Sequence, residues 1–244
     1  MIKVKLVNYT PKPLETITWA ALISYWDEWS TEAFENVNKA DVEKHLPKIL
    51  GYGHESILEH ATFTFAIEGC SRVCTHQLVR HRIASYTQQS QRYTVLNPKN
   101  IEETFVIPES IKKNKAIYEK WKKFMKDAID LYIETYKSGI HQEDARFILP
   151  QAVRTKIVVT MNLRELKHFF GLRLCERAQW EIREVAWKML EELAKREDIR
   201  PIIKWAKLGP RCIQLGYCPE KELMPPGCFQ RTKKRWNDLL DVTK

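Results

Sequence analysis

The sequence predicts an α+β fold: a single domain with a small mixed or antiparallel sheet, several long helices and a loop-rich C-terminal tail. Three observations predict it. Most of the 244-residue chain carries apolar residues at helical intervals, two short stretches have strand character, and the composition shifts to Gly, Pro and Cys after Leu208. A main domain over residues 1–208 and an extension over 209–244 follow from that shift. With 44% hydrophobic residues the chain has enough apolar side chains for a packed core.

Taken in order, residues 14–29 and 40–50 show helical spacing, with Pro47 near the end of the second segment, so two helices joined by a polar turn are expected. Gly51-Tyr52-Gly53 then punctuates the chain. Residues 61–67 alternate through Thr62, Phe63, Thr64, Phe65 and Ala66, the period-two pattern of a strand with one buried aromatic face. A helix is expected from Ser71 to about Arg80, and the polar segment from Ser85 to Arg92, which has neither periodicity, reads as an ordered loop. Residues 111–138 read as one long helix with Ile117, Trp121, Met125, Ile129 and Tyr132 on a core-facing stripe, ended by Gly139. The β-branched run from Val153 to Thr160 predicts a second strand, and helices are expected over 163–171 and 176–195. There is no internal repeat.

Forty Lys and Arg against 31 Asp and Glu give a net charge of +9, which favours anionic partners such as nucleotides, folates or nucleic acid without choosing among them. The lysines at 112, 113, 115, 120, 122 and 123 read as a solvated helix face. No stretch is long and apolar enough to span a bilayer, and no signal peptide is legible, so a soluble cytoplasmic protein is expected, with no membrane partner. Cys70, Cys74, Cys175, Cys212, Cys218 and Cys228 are too few and scattered for a disulfide scaffold, so free thiols are the default. The tail cysteines Cys212, Cys218 and Cys228 leave open one disulfide or a metal, though three fall short of a structural zinc site. His54 and His60 lack the spacing of a metal pair, and no metal is expected.

The densest polar cluster is Gln77 to Arg92, where Arg80, Arg82 and Arg92 surround hydroxyls and amides. Guanidinium forks match phosphate oxygens, and Ser, Gln and loop N–H groups complete the shell. Alone, the segment would equally suit a basic surface turn. Its wording decides: Arg80-His81-Arg82, Ser85, Ser90 and Arg92 at their spacing resemble the signature of flavin-dependent thymidylate synthases. The resemblance extends over most of residues 10–205, through Gly53-His54-Glu55-Ser56, Glu59-His60, Ala145-Arg146, Leu149-Pro150, and Asn162 to Ile182 with Leu172-Arg173 and Ala178-Gln179-Trp180-Glu181.

That resemblance implies an α+β enzyme converting dUMP to dTMP, with 5,10-methylenetetrahydrofolate as carbon donor, reduced FAD as hydride donor, and NADPH or NADH re-reducing the flavin. By the same matching, the flavin would contact Ser24, His54, Ser56, Glu59, Arg80, His81, Arg82 and Ile83, and from a neighbouring subunit Asn162, Arg164 and His168. His168 stands where an amide is usual. The nucleotide would use Gln77, Arg80, Gln88, Gln89, Ser90, Gln91, Arg92, Arg146 and Arg173, with Gln88 shared with the cofactor and replacing a common glutamate. A homotetramer with shared active sites is implied.

Arg173 would be the catalytic residue, stabilising charge on the uracil edge, although an i,i+3 pair with Glu176 would explain it without function. Ser90 is placed as a phosphate ligand rather than a nucleophile, because no base adjoins it in sequence. The competing reading from another class is a nucleic-acid-binding module, for which the pI near 9.2 and the Arg/Tyr/Gln-rich residues 80–93 argue; a yellow, FAD-binding protein would decide against it.

Overall fold

The computed structural model describes residues 1–27, 30–96 and 100–241, so residues 28 and 29 of the first expected helix and the last three residues of the extension lie outside the described residues. The α+β expectation is borne out, with one four-stranded antiparallel sheet in the order β1-β2-β4-β3. Strand β1 (Lys3–Tyr9) leads into α1 (Pro13–Leu22), α2 (Ser30–Asn36) and α3 (Lys39–Gly51). Strand β2 (Thr62–Ser71) is followed by α4 (Arg72–Leu78) and β3 (Ala84–Gln88). Next come α5 (Ile101–Thr104), α6 (Glu109–Lys113), α7 (Lys115–Lys137) and α8 (Gln142–Ala145). Strand β4 (Arg154–Asn162) precedes α9 (Leu163–Arg173), α10 (Trp180–Ala194), α11 (Arg200–Trp205), α12 (Arg211–Leu215) and α13 (Cys228–Leu240).

The strand expected over 61–67 extends to Ser71, and its alternation is real: Phe63, Phe65 and Ile67 are buried. In β4 the same rule buries Thr155, Ile157, Val159 and Met161 while Arg154, Lys156, Val158 and Thr160 point the other way.

Four expectations are corrected. The first helix stops at Leu22 rather than reaching 29, because Ile23 to Tyr25 form a turn. The expected loop over 85–92 begins as strand β3; its residues are at best half-buried, so no apolar alternation betrays it. The single helix over 111–138 is two, broken at Asn114, whose side chain caps α7 by accepting the N–H of Ile117 at 3.2 Å. The helix expected from 176 starts at Trp180, since Gln179 accepts the N–H groups of Glu181 and Ile182 and sets the N-terminus there.

Backbone proximity gathers the chain into two compact units. The first comprises Met1–Ile2, Ile67–Arg80 and Tyr86–Val158. Its core joins Phe105, Met125, Ile129 and Val153, with Trp121 packed edge-on against Phe105 at 6.1 Å. Gly69 is required in it: its φ is +80° and a Cβ there would stand 2.6 Å from the Met1 carbonyl oxygen. The second unit comprises Lys3–Ala66, His81–Ser85 and Val159–Lys244. Here β1 packs on α10, and Glu192 of that helix accepts the Leu6 N–H at 3.1 Å, so an N–H of this edge strand is satisfied by a side chain. Past Leu208 the loops hold α12 and α13; the latter packs on α10 and α11 and donates the Trp236 indole N–H to the Leu208 carbonyl at 2.7 Å.

Candidate functional site

In the first unit, Ser71 caps α4 by accepting the Cys74 N–H, and the helix presents Gln77, half-buried, ahead of the exposed Arg80. Strand β3 returns beside this helix, with the Tyr86 hydroxyl donating to the Leu78 carbonyl at 2.9 Å. Gln88, expected at the ligand, turns its amide N–H groups onto Thr75 (2.9 Å) and Thr155 (3.3 Å). The Gln89 N–H donates to the Lys156 carbonyl, and Ser90 Oγ accepts the Arg92 N–H at 3.1 Å, folding residues 90–92 into a tight turn. Gln91 is half-buried within it.

Arg92 donates from Nε and Nη2 to one oxygen of Glu143, at 3.0 and 2.8 Å, and Arg146 Nε donates to the Glu143 backbone carbonyl at 3.0 Å. Two expected phosphate ligands thus converge on one residue. A third arginine joins them that sequence reasoning missed. Arg72 donates from Nη2 to the Gln89 carbonyl at 2.6 Å, while its Nε is buried with no hydrogen-bond partner. Burial, with Arg146 nearby, lowers the proton affinity of this guanidinium. A half-buried cation beside a like charge, with an orphaned donor, is an anion-seeking arrangement. The signal in the sequence was an arginine at the first position of α4, five residues before Gln77 and outside the matched motif.

The second unit holds the other expected residues. The Ser24 hydroxyl donates to the Ala21 carbonyl past the end of α1. His54 and Ser56 are exposed, the former edge-on to Tyr52 and the latter starting a 3-10 turn over Ser56–His60. Glu59 and Arg164 form an ion pair with each other, and Glu55 pairs with Lys167. Asn162 caps α9 through the Glu165 N–H at 2.8 Å, a structural task for an expected flavin contact. Arg82 and Ile83 stand exposed, Ile83 at 68%.

His81 is the buried centre of this unit's cluster. The i, i+4, i+8 spacing of Glu165, Phe169 and Arg173 puts all three on one face of α9, and His81 lies against it. Its ring meets Phe169 edge-on at 4.9 Å and His168 at 5.6 Å. Arg173 Nε donates to His81 Nε2 at 3.1 Å, and His81 Nδ1 lies 3.3 Å from Glu165 Oε1. An arginine Nε can only donate, so Nε2 accepts and the ring proton sits on Nδ1, facing the carboxylate. Burial, then Arg173 and His168, hold the imidazole well below its ordinary pKa, at about 4, so the ring is neutral near pH 7. Burial raises the Glu165 pKa, with His168 opposing. Ligand atoms of His81, Glu165 and His168 cluster closely enough to suggest a metal, but both His81 nitrogens are committed, leaving that ring no lone pair to donate. Glu176 pairs with Arg231.

The six cysteines are free thiols, and among the described residues no three of their sulfurs approach within 4.8 Å. Burial and neighbouring thiols push Cys212 up to about 11.

The family described as thymidylate synthase complementing protein matches residues 5–197. The chain belongs to that family. Among relatives within it, a flavin-dependent thymidylate synthase of Pyrococcus abyssi is 82% identical over 241 residues, covering 99% of each chain. One of Pyrococcus furiosus is 79% identical with the same coverage. One of Geobacter sulfurreducens is 45% identical over 219 residues, covering 90% of this chain and 91% of its own. Membership makes the chain an enzyme of flavin-dependent transferase type, and no helix among the described residues is long and apolar enough to cross a membrane.

Proposed function

We propose that the protein is a cytoplasmic flavin-dependent thymidylate synthase, methylating dUMP with the carbon of 5,10-methylenetetrahydrofolate and a hydride from reduced FAD that NADPH restores. The observation that carries this reading is the Arg173–His81 hydrogen bond. It joins two residues 92 positions apart that the family resemblance assigns to one active centre.

The donor set fits the cofactor. Arg82, Arg164, His54 and His168 offer cationic and hydrogen-bonding groups for a diphosphate and ring edges, and Ile83 offers an exposed apolar side chain for a ring face. FAD would supply the hydride chemistry, and the chain supplies binding, orientation and charge. Arg72, Arg92 and Arg146 neutralise the nucleotide phosphate, with Ser90 and the N–H groups of its turn completing the shell; Glu143 holds Arg92 until the phosphate takes its place. Arg173 stabilises negative charge developing at the uracil N3/O edge through its outer nitrogens, since Nε is spent on His81. No protein nucleophile is required.

The enzyme works as a homotetramer in which flavin contacts come from more than one subunit. Ile117, Phe124 and Leu131, seven residues apart on α7, stand exposed in the single chain and supply apolar surface for self-association. Anaerobic incubation with dUMP, methylenetetrahydrofolate, FAD and NADPH should yield dTMP, and omitting FAD from apoprotein should abolish it. A colourless protein that makes no dTMP and binds DNA would overturn the reading.

A further inference from the structure

We propose that Glu165 is a positioning residue for this reaction: its buried carboxylate fixes the His81 ring, and the ring fixes the Arg173 guanidinium. The proposal rests on the reading of Arg173 as the group that activates the uracil.

The chain of contacts is short and directional. Arg173 Nε donates to His81 Nε2 at 3.1 Å, and His81 Nδ1–H donates to Glu165 Oε1 at 3.3 Å. The side chains of His81 and Glu165 are 3% and 8% exposed, so little water competes for either end of the ring. Charged or titratable neighbours of the ring include Arg173, His168 and Glu165, which α9 supplies.

A carboxylate among Leu166, Phe169 and Phe170 on the buried side of a helix is costly to desolvate, and packing alone would be served better by an apolar side chain. What the carboxylate adds is a choice of tautomer. Without an acceptor at Nδ1, the imidazole proton is free to move to Nε2, where it would face the Arg173 Nε–H donor to donor. The guanidinium would then lose its anchor and its aim. Because Glu165 and Arg173 sit two turns apart on the same helix, α9 fixes the spacing of their backbones, and the His81 ring spans the gap between the two side chains.

The experiment compares Glu165→Leu, Glu165→Gln and Arg173→Ala holoenzymes by kcat, KM for dUMP and flavin content, together with histidine-ring 15N spectra of the wild type. Glu165→Leu should lower kcat by about 10-fold to 100-fold at near-normal flavin content and KM, the usual scale for losing a group that orients a working residue. Glu165→Gln, whose side-chain oxygen still accepts the Nδ1 proton, should recover to within about threefold of wild type. The spectra should place the His81 proton on Nδ1 and leave Nε2 bare. Wild-type kcat in Glu165→Leu, a Gln variant as poor as the Leu variant, or a proton on Nε2 would each overturn the proposal. Should Glu165→Leu fail to fold, the Gln variant and the ring spectra still decide. Normal turnover in Arg173→Ala, with the proton on Nδ1, would instead bring down the reading of Arg173.

Discussion

Arg173 closes α9 with Nε on His81 and its proposed work at the uracil edge, so truncation should be felt in turnover rather than in cofactor binding. Arg173→Ala should lower dTMP formation at saturating dUMP by about 10²–10³-fold, the scale of losing one well-placed donor from a desolvated site, while FAD content holds. Near-normal turnover would return Arg173 to a structural role. His81 carries a second expectation. Its pKa of about 4 in the fold lies below the ordinary 6.5, so between those values the unfolded chain binds the proton more readily than the folded one. The stability that depends on a neutral ring is therefore complete above about pH 6.5 and is lost as pH falls toward 4. Glu165, His168 and Arg173 all face this ring. Thermal midpoints should fall more steeply over that interval in wild type than in His81→Gln, and equal slopes would show that the ring does not titrate as its burial demands. At this scale the sequence was informative where a motif is contiguous, as from Arg80 to Arg92. Glu165, Arg72 and Glu143 escaped it because their significance lies in partners 84, 17 and 51 positions away.

Helices α3, α9 and α10 were legible because their apolar stripes are long, although the start of α10 was misplaced because glutamine is not an ordinary capping residue. Asn38 makes a capping box with Asp41, and Asn162 and Gln179 open the other two. Strand β1 was missed because only Leu6 of its seven residues is buried, and the run Lys3-Val4-Lys5-Leu6 reads as an N-terminal lead. The tail's helices were hidden by the Gly, Pro and Cys between them. Helix α13 is held by few buried groups, Cys228, Thr232 and Trp236, and the indole N–H of Trp236 satisfies the Leu208 carbonyl. Gly209 makes room for it, since a Cβ there would come within 2.9 Å of Trp236 Nε1. Trp236→Phe keeps most of the apolar contact and orphans that buried carbonyl, so it should destabilise the protein by about 1–3 kcal/mol in denaturant unfolding. A loss well under that range would mean that the tail is held by its apolar contacts alone.

On the scale of the whole molecule, most of the expected residues divide by ligand, except that Arg173, assigned to the nucleotide, lies in the second unit, and Arg80 and Gln88, shared with the flavin, lie in the first. The first unit holds Gln77, Gln88 to Arg92 and Arg146, assigned to the nucleotide, and the second holds His54, Glu59, His81, Arg82, Arg164 and His168, assigned to the flavin. Arg80 and His81, adjacent in the motif, fall on opposite sides of that division. The α+β class was legible from periodicity, but the interleaving of the units was not, because it depends on the chain leaving one unit at Arg80 and re-entering at Tyr86. A homotetramer with shared sites makes this testable without any structure of the assembly. Arg80→Ala removes a contact proposed for one subunit's share of a site, and Arg173→Ala removes the activating residue. Each variant alone should be nearly inactive. If every site draws Arg80 and Arg173 from different subunits, mixing the two under conditions that exchange subunits creates some sites with both residues intact. Random pairing of equal amounts then regenerates about a quarter of the sites, while the rest carry one or two defects. If both residues of a site come from one chain, every site in the mixture retains a defect and activity stays at background. Dimerisation alone would not produce the difference, so recovery of dTMP formation on mixing, scaled against wild type in the same exchange buffer, reads out the sharing directly. Failure to recover, with exchange verified by mass-tagged subunits, would place each site within a single chain.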